Sequence, residues 1–286
     1  MKKILLTGST GFIGKSFYNE YCSKYNILTF SFRNDDFSKL NLNKIDTIFH
    51  LSALVHKSPE KDYAEYKQVN VEQTIRLAKK AKKSGVRHFI FVSSVAVYGV
   101  DSGIVHENSL CNPQTNYAKT KLEAEKELLK LQSDTFIVSI VRIPIVTGYK
   151  APGNMISLIK LVKRVSFLPL NKIQNKRSML FIGNFLYLIN LVIEKQTEGI
   201  LLFSDNETIS TTRLIQVIAK ALKKRVYLFY IPFFENIIRF FKPSIYNKLF
   251  LSLEINNTIT MKKLLINKNF LPYTIEDGIK IMVRGK

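Results

Sequence analysis

Three glycines directly after an apolar run, Thr7-Gly8-Ser9-Thr10-Gly11-Phe12-Ile13-Gly14, constrain this chain more than any other feature. Lys3-Ile4-Leu5-Leu6 reads as a short buried strand and residues 12–25 as a helix, so the turn between them lies at a helix N-terminus. Unpaired N–H groups and the positive end of the helix dipole attract phosphate there. Gly8 can take a left-handed turn, Gly11 lets a ligand come close, and Gly14 lets the helix pack on the strand, as a dinucleotide pyrophosphate requires. Glycine turns of this kind are common between strands and helices. Placement straight after an apolar strand is what favours the phosphate-binding version.

Strand and helix patterns alternate through the first half: strands at 3–6, 27–32, 47–50, 88–92 and 135–142, with helices from 12 and over 66–83 and 116–131. Repeated βα units predict an α/β fold, a Rossmann-type doubly wound parallel sheet with a smaller C-terminal substrate lobe. With 286 residues, 46% of them hydrophobic, the chain can bury a substantial core.

Tyr117 and Lys121 stand four residues apart in the helix expected over 116–131, which puts their Cβ atoms roughly 5–6 Å apart on one face. A free phenol titrates near pH ~10 and is a poor base at neutrality. A cation ~4 Å away at an effective dielectric near 20 is worth on the order of 4 kcal/mol, enough to bring Tyr117 into the working range. A surface helix with an incidental Tyr and Lys gives the same spacing. Ser93-Ser94 at the end of the strand over 88–92 breaks that tie, because ligands of open α/β sheets bind at the carboxyl ends of the strands. Ser94 can hold a sugar hydroxyl beside Tyr117.

In this order the motifs resemble the extended short-chain dehydrogenase/reductase superfamily, specifically the NAD-dependent epimerase/dehydratase family acting on activated sugars. The glycine run is followed by His50-Leu51-Ser52-Ala53, Val69-Asn70-Val71, the strand ending Ser93-Ser94-Val95-Ala96-Val97-Tyr98-Gly99, Tyr117/Lys121, Val141-Arg142-Ile143-Pro144, Gly153-Asn154 and Asn175-Lys176-Arg177-Ser178. The resemblance is to a bacterial surface-polysaccharide branch of C4 epimerases and 4-keto-sugar reductases. It implies that Ser94 and Tyr117 bracket the sugar O4 and that Lys121 also grips the nicotinamide ribose. Gly8, Gly11, Phe12, Ile13 and Gly14 would line the pyrophosphate and Leu51, Ser52 and Ala53 the rest of the cofactor. Asn154 and Arg177 match positions that hold a substrate diphosphate, and an arginine fork suits phosphate. Arg177 is otherwise one more cation in a basic segment, and Asn70 is expected to be structural. The resemblance also implies a cofactor domain over 1–148, rejoined by roughly 178–207, with 149–177 and 208–286 as the substrate lobe. Members are commonly homodimers.

Two departures shape the expected chemistry. Dehydratases of the family carry an Asp-Glu pair after the catalytic hydroxyl residue, where this chain has Val95 and Ala96, so a 4,6-dehydratase is not expected. Many epimerases have asparagine at the position of Ile145. The activity expected is C4 epimerisation of a UDP-sugar or polyprenyl-diphosphate-linked N-acetylhexosamine with NAD. The alternatives are a 4-keto reductase using NADPH and a non-catalytic NAD(P)-sensing regulator. Cofactor choice is divided: Ser31 takes the usual acidic position after the second strand and Arg33 follows, which suits NADP, while Asp35 and Asp36 can fold back to suit NAD.

Charge is asymmetric. Lys and Arg exceed Asp and Glu by 7 over residues 1–143 and by 14 over 144–286, within a net charge of +21. A basic mouth would steer a diphosphate inward. Residues 225–253 interleave aromatics with cations, a pattern compatible with a helix lying on an anionic membrane, although a core helix of the small lobe is the expected reading. Nucleic-acid binding has no motif beyond net charge. Cys22 and Cys111 suggest neither disulfides nor zinc, with Cys22 expected in the core of the first helix. The four histidines show no metal spacing, and His50 is expected to end a strand. Met1 leads into the first strand, so no signal peptide is expected and the location expected is cytoplasmic, with peripheral contact at the inner membrane face if the substrate is lipid-linked.

Overall fold

A computed structural model describes residues 1–55, 62–266 and 270–285. The chain opens with β1 (Lys3–Thr7), α1 (Phe12–Tyr21), β2 (Asn26–Phe30) and β3 (Thr47–His50). α2 (Tyr63–Lys67) and α3 (Gln73–Lys83) follow, joined through a π-helical turn over Gln68–Glu72, and then β4 (His88–Ser94) and β5 (Gly103–His106). Next come α4 (Asn116–Leu131), β6 (Ile137–Ile143), β7 (Val146–Thr147), α5 (Asn154–Arg164), β8 (Phe167–Leu168), β9 (Arg177–Ser178) and β10 (Leu180–Phe181). The remainder is α6 (Ile182–Lys195), β11 (Gly199–Leu202), β12 (Thr208–Ile209), α7 (Thr211–Ala221), β13 (Tyr227–Leu228), α8 (Phe234–Phe241), α9 (Pro243–Phe250), β14 (Leu253–Asn256), α10 (Thr258–Lys263) and α11 (Ile275–Arg284).

The main sheet has the order β11-β6-β4-β3-β1-β2, and every pairing in it is parallel. Its strands are apolar on both faces because helices cover both. Ile4, Leu6, Phe49, Ile90, Val92 and Val141 point to one side, against Phe17 of α1 and Phe185, Leu188, Ile189 and Val192 of α6. Leu5, Ile48, Phe89, Phe91, Val138 and Ile140 point to the other, against Leu77, Ala78 and Ala81 of α3 and Ala124 and Leu128 of α4. The period-2 alternation thus divides each strand between two cores, which is the doubly wound arrangement expected.

Around the carboxyl edge lies a second group of short elements. β12-β9-β14-β5 form a small sheet. A separate core of Met155, Val162, Leu168, Ile215, Ile218, Ile279 and Met282 joins α5, α7 and α11.

Several boundaries differ from expectation. α1 ends at Tyr21 and not Tyr25, and Cys22 is exposed. Phe17, Tyr21 and Tyr25 recur every four residues and stack inward, with Phe17 and Tyr25 centroids 6.5 Å apart, so Cys22 falls a helical step away from the core face. β2 stops at Phe30, leaving Ser31 and Arg33 in a turn beyond it. The aromatic segment only borders a core: neither α8 nor α9 has a fully buried residue, and Phe234, Leu249 and Phe250 pack partly buried against the core of α5, α7 and α11. Among the described residues no helix is long and apolar enough to cross a membrane.

Candidate active site

β1 delivers the chain to a turn in which Gly8 takes φ +72°, the left-handed conformation open to glycine. A Cβ on Gly14 would stand 2.3 Å from the Gly8 carbonyl oxygen, so the first turn of α1 can close onto the Gly8 turn only without a side chain there. The α1 N-terminus has no side-chain cap and no acidic residue in its first turn. Its leading N–H groups are therefore left for an anion.

That turn forms one wall of a cleft of about 330 Å³ at the carboxyl edge of the sheet. Gly8, Gly11, Phe12, Ile13 and Gly14 line it together with Leu51, Ala53, Ser94, Tyr117 and Lys121, all expected from sequence. Ser52 lies between two lining residues, and its N–H donates to the Thr7 hydroxyl at 3.2 Å. The cleft's apolar walls were not anticipated: Val55, Val92, Ile143, Pro144, Val146 and Pro152. Ile145, noted only as a departure, lies among them.

Both functional groups of α4 feel this dry setting. The Thr115 hydroxyl caps the helix by accepting from the Ala118 N–H at 3.2 Å, which fixes where its first turn, with Tyr117, begins. Burial pushes the Tyr117 phenol up to about 12, against the opposing pull of the Ser94 hydroxyl. Burial also lowers the Lys121 ammonium to about 7, opposed by the Glu125 carboxylate. The Lys121 Nζ stands 4.1 Å from the centroid of the Phe91 ring. This corrects the expectation that Lys121 draws the Tyr117 phenol down. Both groups share one poorly solvated wall, so each charged form is penalised and the protonated phenol is favoured.

Behind that wall lies an ion pair that the sequence did not announce. Arg142 of β6 grips Glu125 of α4 with Nη2 to Oε2 at 2.6 Å and Nε to both oxygens at 3.2 Å, and both residues are almost fully buried. The Ser93 hydroxyl donates to the same carboxylate. Glu125 thus ties the helix carrying Tyr117 and Lys121 to the strand end carrying Ser94. Lys121 and Glu125 at i and i+4 were the only available signal, and that spacing is too common to notice. On the other flank, Asn70 accepts from the Leu54 N–H at 2.7 Å and donates to Leu54 O and the Thr120 hydroxyl. It clamps the loop after β3 onto α4, the structural role expected of it. His50 ends β3, buried between Thr7 and Thr74, with which it is hydrogen-bonded.

The remaining candidates stand apart from the cleft. Ser31 and Arg33 lie just past β2, where the Asp35 carboxylate folds back to accept from the Ser31 N–H at 2.8 Å. Asn154 is exposed at the start of α5. Arg177 is partly buried, and its Nη1 donates to the main-chain carbonyls of Asn247 at 3.1 Å and Leu251 at 3.3 Å. Among the described residues no cluster of three or more His, Cys, Asp or Glu could hold a metal.

The residues present fit a dinucleotide: an uncapped helix N-terminus, a glycine turn that admits close approach, and an open cleft running to a buried lysine. Residues 4–204 match the NAD dependent epimerase/dehydratase family. The chain is 33% identical over 261 residues to a UDP-glucose 4-epimerase of Vibrio cholerae, covering 81% of this chain and 79% of that protein. It is 25% identical over 250 residues to an N-acetyl-alpha-D-glucosaminyl-diphospho-ditrans,octacis-undecaprenol 4-epimerase of Escherichia coli O157:H7, covering 80% and 75%. In fold it resembles the UDP-glucuronic acid 4-epimerase of Bacillus cereus solved with NAD, at 20% identity, with a TM-score of 0.75 over 97% of this chain and 96% of that one.

Proposed function

The chain belongs to the NAD dependent epimerase/dehydratase family, and we propose that within it the protein inverts C4 of a diphosphate-activated hexose for surface polysaccharide synthesis. The observation that supports this most is the meeting of Ser94, Tyr117 and Lys121 with the glycine turn in one cleft. A bound nicotinamide would supply a reversible hydride acceptor for C4. This chain's own residues do the rest. The first-turn N–H groups of α1 hold the pyrophosphate, and Lys121 holds the nicotinamide ribose. Ser94 donates to the sugar O4. The Tyr117 phenol would have to be ionised first, a change that the positive ring of a bound nicotinamide would favour. Tyr117 then takes the O4 proton as the carbonyl at C4 forms and returns it as that carbonyl is reduced on the other face. Val92, Ile143 and Ile145 exclude water while the sugar turns. Arg177 and Asn154 serve the substrate diphosphate, whose carrier is a nucleotide or a polyprenyl lipid. The setting proposed is cytoplasmic and dimeric, with inner-membrane contact for the lipid-linked case.

Val95 and Ala96 offer no second acid–base pair, which disfavours dehydration. A 4-keto reductase using NADPH is the second reading, favoured by Ser31 and Arg33 past β2. Asp35 favours NAD, because its carboxylate already stands at the end of β2, where a ribose hydroxyl needs an acceptor. Asp35→Ala should therefore weaken NAD at least about tenfold, the loss of one charged hydrogen bond, and leave NADP nearly unchanged in fluorescence titrations. Arg33→Ala should do the reverse. Equal effects on both cofactors would show that neither side chain reads the ribose. For the function itself, NAD that copurifies and is not consumed during turnover of UDP-N-acetylglucosamine supports epimerisation. A requirement for added NADPH and a 4-keto sugar replaces it with reduction.

A further inference from the structure

α8 turns an apolar stripe to the outside. Phe233, Ile237, Phe240 and Phe241 recur at i, i+4, i+7 and i+8, one helical face, and they are 74%, 50%, 81% and 70% exposed. Phe234, one step round the helix, packs against the core of its lobe. Tyr230, 61% exposed, extends the stripe before the helix. A contiguous exposed aromatic surface of this kind marks a place that something covers.

Charge identifies the occupant. Residues 225–253 hold four cations, Arg225, Arg239, Lys242 and Lys248, against the single carboxylate of Glu235. Glu235 already accepts from the Tyr246 hydroxyl at 3.1 Å. A further cation, Lys172, borders the stripe with Nζ 6.0 Å from the Tyr230 ring centroid, while the exposed Arg239 is turned toward α9, 5.7 Å from the Tyr246 ring centroid. A second copy laid face to face would bring like charges together, whereas an anionic lipid surface neutralises them while its acyl boundary takes the phenylalanines. Eight residues of helix span only about 12 Å, so α8 would lie along such a surface.

We propose that the outward face of α8 docks on an anionic bilayer, and that the protein thereby takes its hexose from a lipid-linked diphosphate. The second half rests on the C4 chemistry proposed above; the first does not. The same helix pair carries the proposed diphosphate anchor, because Arg177 is fastened to carbonyls of Asn247 in α9 and of Leu251 just after it, and Asn247 is itself tied to Asp101 at 2.8 Å. Docking and substrate diphosphate are linked through α9.

The test uses the full chain and vesicles of phosphatidylglycerol mixed with phosphatidylcholine, against phosphatidylcholine alone. Wild-type protein should cosediment with the anionic vesicles at low salt and be released as ionic strength rises, since surface attraction fades over a Debye length of about 10 Å at 0.1 M. Phe240→Ser with Phe241→Ser, and separately Arg239→Glu with Lys242→Glu, should each weaken cosedimentation at least about tenfold. Melting temperature and turnover of a soluble UDP-sugar should stay as in wild type, because these side chains are exposed. Turnover of vesicle-embedded polyprenyl-diphosphate N-acetylglucosamine should fall with binding. Wild-type protein left in the supernatant at low salt overturns the proposal. So does a wild-type dimer that the phenylalanine variant converts to monomer with vesicle binding unchanged, which would make the face a contact between copies. Equal turnover of the lipid-linked sugar by wild type and variants overturns the delivery role. Vesicle binding with no turnover of either sugar upholds docking and refutes the epimerase reading.

Discussion

Tyr117→Phe lowers turnover at least about a hundredfold, the low end of what a positioned acid or base contributes, and leaves cofactor affinity nearly unchanged. The phenol lines the cleft beside Ser94, so once ionised it is placed to exchange a proton with the substrate, and it does little to hold the cofactor. Steady-state kinetics beside a cofactor titration separates the two effects. Near-normal turnover in the variant removes Tyr117 from the mechanism, and a parallel loss of cofactor binding gives it a structural role.

Glu125→Leu destabilises the protein by about 3–5 kcal/mol, because it leaves the buried Arg142 guanidinium without its counter-charge. Both partners are nearly inaccessible to solvent, and the Ser93 hydroxyl loses its acceptor as well. Glu125→Leu combined with Arg142→Leu should recover most of that loss, since a matched apolar pair pays no desolvation. Urea denaturation of both variants reads the difference. If the double variant is no more stable than the single one, the pair's charges are not what matters there, and its role in joining α4 to β4 and β6 has to rest on shape alone.

The features legible in the sequence were the ones governed by local rules. The glycine turn, the two-sided apolar strands and the helix over Asn116–Leu131 each follow from spacing within a dozen residues, and the cleft gathers the glycines, Ser94, Tyr117 and Lys121 accordingly. Features that depend on contacts distant in the chain were not legible. Glu125 and Arg142 meet across seventeen positions of sequence, and nothing in either neighbourhood announces the partner. The expected coupling of Lys121 to Tyr117 treated the pair as two point charges in a uniform medium. It left out the desolvation that the surrounding Phe91, Val92 and Ile143 impose. Cys22 is exposed because the core face of α1 runs through Phe17 and Tyr21, one helical step away from it. The aromatic segment around α8 reads the same in sequence whether its stripe faces a core or the outside; only the neighbouring elements decide, and here they leave it uncovered. Asp35 was legible as one of two carboxylates able to fold back, and the turn after β2 brings it to Ser31.

The central claim is that the hydrogen taken from C4 returns to C4 of the same sugar. The direct measurement is turnover of UDP-N-acetylglucosamine and its polyprenyl-diphosphate counterpart, each deuterated at C4, with product analysed by NMR and mass spectrometry. The account predicts C4-inverted product from at least one carrier, with the deuterium retained at C4 and no net change in cofactor redox state. Failure to invert either sugar, together with stoichiometric NADPH consumption on a 4-keto sugar, would contradict it.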